Sequence, residues 1–380
     1  NLINKNRSLA SLIIVFFIII VSDFLFHQFY PQVISTLEYF FDLGKDTHSA
    51  VDLTFAPEIW GGVLATVLGT LIIVIAIAAE STPKLMDLFV KDWVSLIFIW
   101  FLILASIHST IIMYYFEPME RLSSVMLNTY IYLPLSSMLS LPYIFYILLY
   151  SKTDNVIKKL YSLNIDDIKR LKNKPIHLAM NDVKVIEHYQ YQLMSTIDQF
   201  DDLLEYISFK EAQTEIIRSV GDTVKEYMRN KTSYDLRFFS ATGTIRNNPT
   251  FRTYIEHQYK DIEDRKTFYE VKAFKMMGNA YIRKMENGEY ELASLIANEI
   301  SSVGILALEL EQDDLIIDIN IRFNTFMRFA IKHAIRNNEP RNLYNLAFHY
   351  STLLQGYVDY NKIDLLKQGY FYFKFYSNEI

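Results

Sequence analysis

The sequence predicts an all-α protein: a polytopic membrane part with about four transmembrane helices, followed by a large α-helical cytoplasmic domain. Three observations carry that prediction. Four long apolar stretches fill the first 151 of 380 residues, a membrane domain at 1–151. The following 152–380 contain no stretch of that kind. There, apolar residues recur at intervals of three and four, the spacing of an amphipathic helix.

The stretches place spanning helices at about 8–30, 58–80, 93–116 and 124–151. Residues 59–79 and 94–116 contain no Asp, Glu, Lys or Arg over 21 and 23 positions. A bilayer core of about 30 Å needs about 20 helical residues, so both are long enough. The 8–30 segment reads as a span rather than a signal peptide: no small-residue cleavage site follows it, and Asp23 and His27 interrupt its run. Asp23 is read either at headgroup level or as an intramembrane carboxylate paired inside the bundle. The fourth stretch carries Pro134 and Pro142, so it is either one kinked helix or a broken one.

Basic residues orient the chain. Lys5 and Arg7, Lys84 and Lys91, and the group Lys152, Lys158, Lys159, Lys169 and Arg170 fall on one side, against Lys45 and Arg121 on the other. The positive-inside rule then puts both termini in the cytoplasm of a multi-pass plasma (inner) membrane protein. The opposite face is acidic, which concentrates cations there.

The second stretch is rich in small residues. Gly62, Thr66, Gly69, Ile73 and Ala76 share one helical face, read as close helix packing or as a pore lining with Ile73 as its constriction. Around an axis of several copies, Glu58 and Glu80 form acidic rings at the two mouths. Thr82, Pro83 and Lys84 start a short amphipathic helix, with Thr82 as N-cap and Pro83 at the first position, read as coupling the cytoplasmic domain to the second span or as a plain connector.

Residues 68–102, LGTLIIVIAIAAESTPKLMDLFVKDWVSLIFIWFL, together with the polar turn Asp154-Asn155-Val156-Ile157, resemble a bacterial family of predicted membrane proteins of unknown function. The resemblance covers roughly 58–160 and rests on the Ser81-Thr82-Pro83-Lys84-Leu85 turn and the Lys91-Asp92 pair. It implies a membrane architecture and no reaction. The C-terminal half shows no copy of that family's Pro-Asn-Asp-Pro-like motif near 313–320.

The cytoplasmic part reads as helices broken at Gly221, Asn247-Asn248-Pro249, Asn287-Gly288 and Asn337-Asn338-Glu339-Pro340. One long amphipathic helix is expected over 180–218. Residues 276–299 resemble a tetratricopeptide-type hairpin, with Gly278, Ala280, Tyr281, Gly288, Tyr290 and Ala293 at matching positions. The closing run YFYFKFY at 370–376 reads as core or subunit-interface packing, or as a partner-peptide groove.

Chemistry is sparse. The absence of cysteine excludes disulfides and thiolate catalysis. No phosphate-binding or metalloprotease motif occurs, and no two of the 8 histidines lie three or four apart, so no catalytic residue, metal site or cofactor is expected. His108, mid-span beside Ser106, Ser109 and Thr110, reads as an interhelical hydrogen bond or a proton-sensing group. The acidic run around Glu309, Glu311, Asp313, Asp314 and Asp318 lacks the calcium-loop pattern and reads as a solvated turn. With a formal net charge of −6, nucleic acid is not expected as a partner.

The expectation is a non-enzymatic, homo-oligomeric ion channel that favours cations and is gated or assembled through its helical domain. Its partners are the lipid bilayer, further copies of itself, permeant ions and a cytoplasmic protein. The alternatives are a non-conducting scaffold or signalling protein, and a transporter.

Overall fold

The computed structural model describes residues 2–41, 56–81, 92–115, 122–150 and 153–377, and every regular element among them is helical. The chain divides into two compact units, Asn1–Lys152 and Thr153–Ile380.

In the first unit, α1 is Leu2–Phe41. It is 40 residues long, far more than the 8–30 expected. Pro31 lies inside it. A proline forfeits one backbone hydrogen bond, but α1 contains no glycine to end it and runs on ten residues further. Helix α2 is Ala56–Ser81 and α3 is Trp93–Tyr115. Asp92 caps α3: its Oδ2 accepts from the Ser95 backbone N–H at 3.0 Å and from the Ser95 hydroxyl at 2.8 Å. The fourth stretch is helical without a break: α4 (Leu122–Met126), a π-helical turn (Leu127–Tyr132) and α5 (Leu133–Tyr150). The π turn ends just before Pro134, which offers no N–H; the Leu133 N–H reaches back five residues to the Asn128 carbonyl.

The second unit contains α6 (Thr153–Arg170), α7 (Lys174–Ala179), α8 (Val183–Tyr206), α9 (Lys210–Asn230), α10 (Gly243–Arg246) and α11 (Glu256–Asp264). It continues with α12 (Phe268–Glu286), α13 (Tyr290–Glu309), α14 (Asp313–Asn337), α15 (Arg341–Asp359) and α16 (Ile363–Ser377). The expected turns at Asn287-Gly288 and Asn337-Asn338 separate α12 from α13 and α14 from α15, with Gly288 at φ 75° and Asn338 at φ 52°.

Two expectations fail here. The helix expected over 180–218 is two helices, because Ile207 and Phe209 adopt extended backbone; the Gln213 side-chain amide donates to the Ile207 carbonyl and holds the break. Gly221 is not a break. It sits within α9 where a Cβ would collide with the Glu299 carboxylate, so it is a packing glycine. In the terminal aromatic run, Tyr370, Phe371 and Phe375 are exposed within the chain, Tyr372 and Phe373 are half-buried, and the Phe373 ring lies 5.9 Å from Tyr350.

Four helices among the described residues are long and apolar enough to cross a membrane: Arg7–Gln32, Trp93–Ile112, Leu122–Ile147 and Tyr290–Glu309. The fourth corrects the expectation that the C-terminal half contains none. It is 67% buried inside the structure, against 17–28% for the other three. A helix apolar on all sides is what a core needs as much as what a bilayer needs, and α13 has spent its surface on its neighbours. The described apolar part of α2, Glu58–Ile73, is shorter than the other spans. An all-helical chain with such helices fits a membrane protein.

The acidic run after α13 is partly paired. Asp318 meets Arg265 at 2.6 Å and Asp313 meets Lys362 at 2.8 Å. Among the described residues, no group of three His, Cys, Asp or Glu could hold a metal ion.

The packing of α15 on α13 makes a pH prediction. His349 places Nε2 3.0 Å from the Ser294 hydroxyl, and burial pushes its imidazole below the ordinary histidine value. The unfolded chain therefore takes up this proton first, and stability falls as pH drops below about 6.5. Urea unfolding of the full chain, followed by far-UV circular dichroism, should show this loss, and His349→Gln should flatten it. An identical slope in the variant would refute the assignment.

Candidate functional site in the apolar unit

Helix α2 has two unlike faces. Trp60 and Val67, seven residues apart, are 0% and 1% exposed and face the bundle. The expected pore face points away from it: Gly62, Thr66, Ile73 and Ala76 are exposed and Gly69 is half-buried. A Cβ built on Gly61, Gly62 or Gly69 would meet nothing within 4 Å. Among the described residues, then, nothing packs closely against these glycines.

The hydroxyls on this face are spent on the helix itself. Thr66 donates to the Gly62 carbonyl and Thr70 to the Thr66 carbonyl, each at 2.8 Å. With its proton committed, each oxygen presents only lone pairs outward. Glu58 is exposed in the first turn of α2. Glu80 belongs to the last turn, about 33 Å along the axis at 1.5 Å per residue. The side chain of Glu80, and all of Thr82, Pro83 and Lys84, lie outside the described residues.

Behind that face lies a polar chain that touches every rod of the unit. The Trp60 indole N–H donates to Asn128 Oδ1 at 2.7 Å. The Asn128 amide nitrogen donates to the Ala105 carbonyl at 3.0 Å and faces His108 Nδ1 at 3.1 Å. His108 Nε2 lies 3.9 Å from Asp23 Oδ1. Thus α2, the π turn, α3 and α1 are joined in sequence. Beside it, Ser22 of α1 hydrogen-bonds the Tyr132 hydroxyl, and His27 Nδ1 meets Ser123 Oγ at 2.7 Å. Asn128 is 1% exposed and Trp60 0%.

The chemistry of the donors fixes the protons along this chain. Indole N–H only donates, so Asn128 must turn its oxygen to Trp60 and its NH2 to His108. His108 Nδ1 must then accept. The neutral ring therefore carries its proton on Nε2, the nitrogen that lies 3.9 Å from Asp23 Oδ1. Asp23 sits inside the bundle in the paired arrangement, and His108 makes the interhelical hydrogen bond. Asn128 and Trp60 were not legible as members. Asn128 lies in an uncharged stretch, and a tryptophan near a span end reads as an interfacial anchor. The one signal was Pro134, which marks the site of the π turn.

The second unit holds a cleft of about 480 Å³ where the starts of α9 and α15 meet the α12–α13 turn. Lys210, Glu289, Glu291, Glu339 and Arg341 line it with Asn342. Lys210 pairs with Glu291. Asn342 is 5% exposed, yet neither its amide nitrogen nor its oxygen has a hydrogen-bond partner.

Comparison of the chain with protein-family models, with curated proteins and with solved structures yields no match.

Proposed function

We propose that this protein is a homo-oligomeric membrane ion channel whose pore forms between copies and is lined by the outward face of α2. The observation that carries this reading is the uncovered stripe of Gly62, Thr66, Gly69, Ile73 and Ala76, set against an opposite face packed through Trp60 and Val67. In a bilayer, small residues let backbones approach closely, and a helix that wastes them on lipid gains nothing. The interior of one copy is filled by the Trp60–Asn128–His108 chain, which favours a conduction path between copies rather than within one. Lone pairs on the Thr66 and Thr70 oxygens, with Glu58 at one end, suit cations. The basic residues that follow the fourth span orient the helical second unit to the cytoplasm, in a plasma-membrane protein with both termini inside.

Ion flux through purified protein in liposomes tests this, with wild type beside Gly69→Leu. The expected result is cation flux in the wild type, reduced at least several-fold in the variant, with an unchanged oligomer on a sizing column. Leucine fills the face without touching the packed side, since nothing lies within 4 Å of that Cβ. Wild-type liposomes silent under varied potential, tension and calcium would refute the channel.

The cleft in the second unit favours a second reading, a non-conducting scaffold that recruits a protein partner. A buried primary amide with free donor and acceptor is an unmet demand for hydrogen bonds. A partner held by full-length wild type in detergent and lost with Asn342→Leu would support it.

A further inference from the structure

We propose that Asp23 and His108 form a proton-binding site within the apolar unit, and that Asn128 and Trp60 carry its occupancy to α2. The site lies where intramembrane ionisable groups are costly and hence functional by default. It is ordered from both sides: Asn128 holds Nδ1 at 3.1 Å, and Asp23 stands 3.9 Å from Nε2. His108 and Asp23 keep 17% and 21% of their side chains exposed, so neither is sealed off by the chain itself.

The event is a simple exchange of hydrogen-bond sense. In the neutral ring, Nδ1 accepts from the Asn128 amide. A proton arriving from water ends on Nδ1, converting that acceptor into a donor that faces another donor. The Asn128–His108 bond breaks, and the imidazolium and the Asp23 carboxylate now carry no net charge between them. Asn128 cannot simply reverse its amide, because its oxygen serves Trp60 and its nitrogen also serves the Ala105 carbonyl. It must move with the ring or give up Trp60, and either choice is felt on α2. The other groups facing this pair are Tyr132 from the π turn, its ring 6.3 Å from His108, and His27 on α1, one turn from Asp23 and engaged with Ser123. From α2 comes Trp60, which does not titrate.

The inference deepens the channel reading by naming what biases α2, but its test does not need conduction. The chain has three tryptophans, so Trp93→Phe with Trp100→Phe leaves Trp60 alone. The full-length double variant in phosphatidylcholine nanodiscs is titrated from about pH 8 to about pH 5, the range in which imidazoles change charge. Trp60 emission should shift reversibly in one step. His108→Gln should abolish the step, His27→Gln should leave it intact, and Asp23→Asn should displace it along the pH axis. A flat emission with native circular dichroism overturns the proposal, as does a step that survives His108→Gln. Should that variant fail to fold, Asn128→Ala puts the same question: it cuts the link, and a Trp60 step retained there is equally fatal. Silent liposomes with a titrating Trp60 would remove the channel and leave the proton site standing. Conducting liposomes with a flat Trp60 would do the reverse.

Discussion

Replacing Lys231 by Met should cost the second unit about 3–5 kcal/mol, enough to unfold it or nearly so. Lys231 Nζ lies 2.7 Å from Glu270 Oε1, with the two side chains 9% and 0% exposed. The pair sits among Tyr227, Tyr234 and Tyr269, with ring centroids 4.5–5.5 Å from one another along the chain of contacts. Burial, with the negative charge of Glu270 adding to it, pushes all three phenols up, so they stay protonated. Methionine keeps the length of the lysine stem and removes only the charge. What remains is a carboxylate with no exposure to water and no cation. Thermal unfolding of the full chain, followed by far-UV circular dichroism, should show the loss. Lys231→Met with Glu270→Leu should recover most of it, because a well-packed apolar pair often matches a buried ion pair. A single variant that melts with the wild type would show that the pair is not buried as described.

The second large effect is expected at the crossing of α13 and α15. The helices interlock reciprocally: Gly304 of α13 lies beneath Leu353 of α15, and Gly356 of α15 lies against Leu308 of α13. A Cβ on Gly304 would stand 2.6 Å from Leu353 Cδ1 and 3.6 Å from two carbons of Ile319. Leu353 and Ile319 are both 0% exposed, so neither can swing into water. Gly304→Leu should therefore destabilise by about 2–3 kcal/mol through overpacking. Gly304→Ala should cost less, since the nearest atom is the end of a flexible side chain. Adding Leu353→Ala to Gly304→Leu should return part of the loss, which a double-mutant cycle measures as a coupling of about 1 kcal/mol or more. Strict additivity of the two changes would show that the residues do not share the space.

Much of this architecture was legible because helices announce themselves by period and their ends by residue type. Asn287-Gly288 and Asn337-Asn338 end helices through residues that tolerate a left-handed backbone. The break at 207–209 carries no such residue. It depends on a side-chain bond from Gln213, a contact that no local pattern encodes. Gly221 shows the opposite failure: read locally, this glycine means a break, whereas it makes room for Glu299, as Gly304 does for Leu353. Composition also cannot separate α13, hydrophobic because it is surrounded by protein, from a span that is hydrophobic because it is surrounded by lipid. In the candidate site, Asp23 and His108 stood out because charge and imidazole are expensive in apolar stretches. Asn128 and Trp60 carry no such mark, and only the π turn before Pro134 brings the four together.

Helix α1 has a mechanical consequence. At 40 residues it is about 60 Å long, roughly twice the depth of a bilayer core. From Asp23 to Phe41 the helix runs on for about 27 Å. A tilt of about 10° at the level of Asp23 swings that far end by about 5 Å, by the geometry of a rod of this rise. Unless Pro31 flexes and absorbs the motion, α1 is a lever with its fulcrum at the His108 contact, one arm running about 27 Å to Phe41 and the other about 32 Å to Leu2.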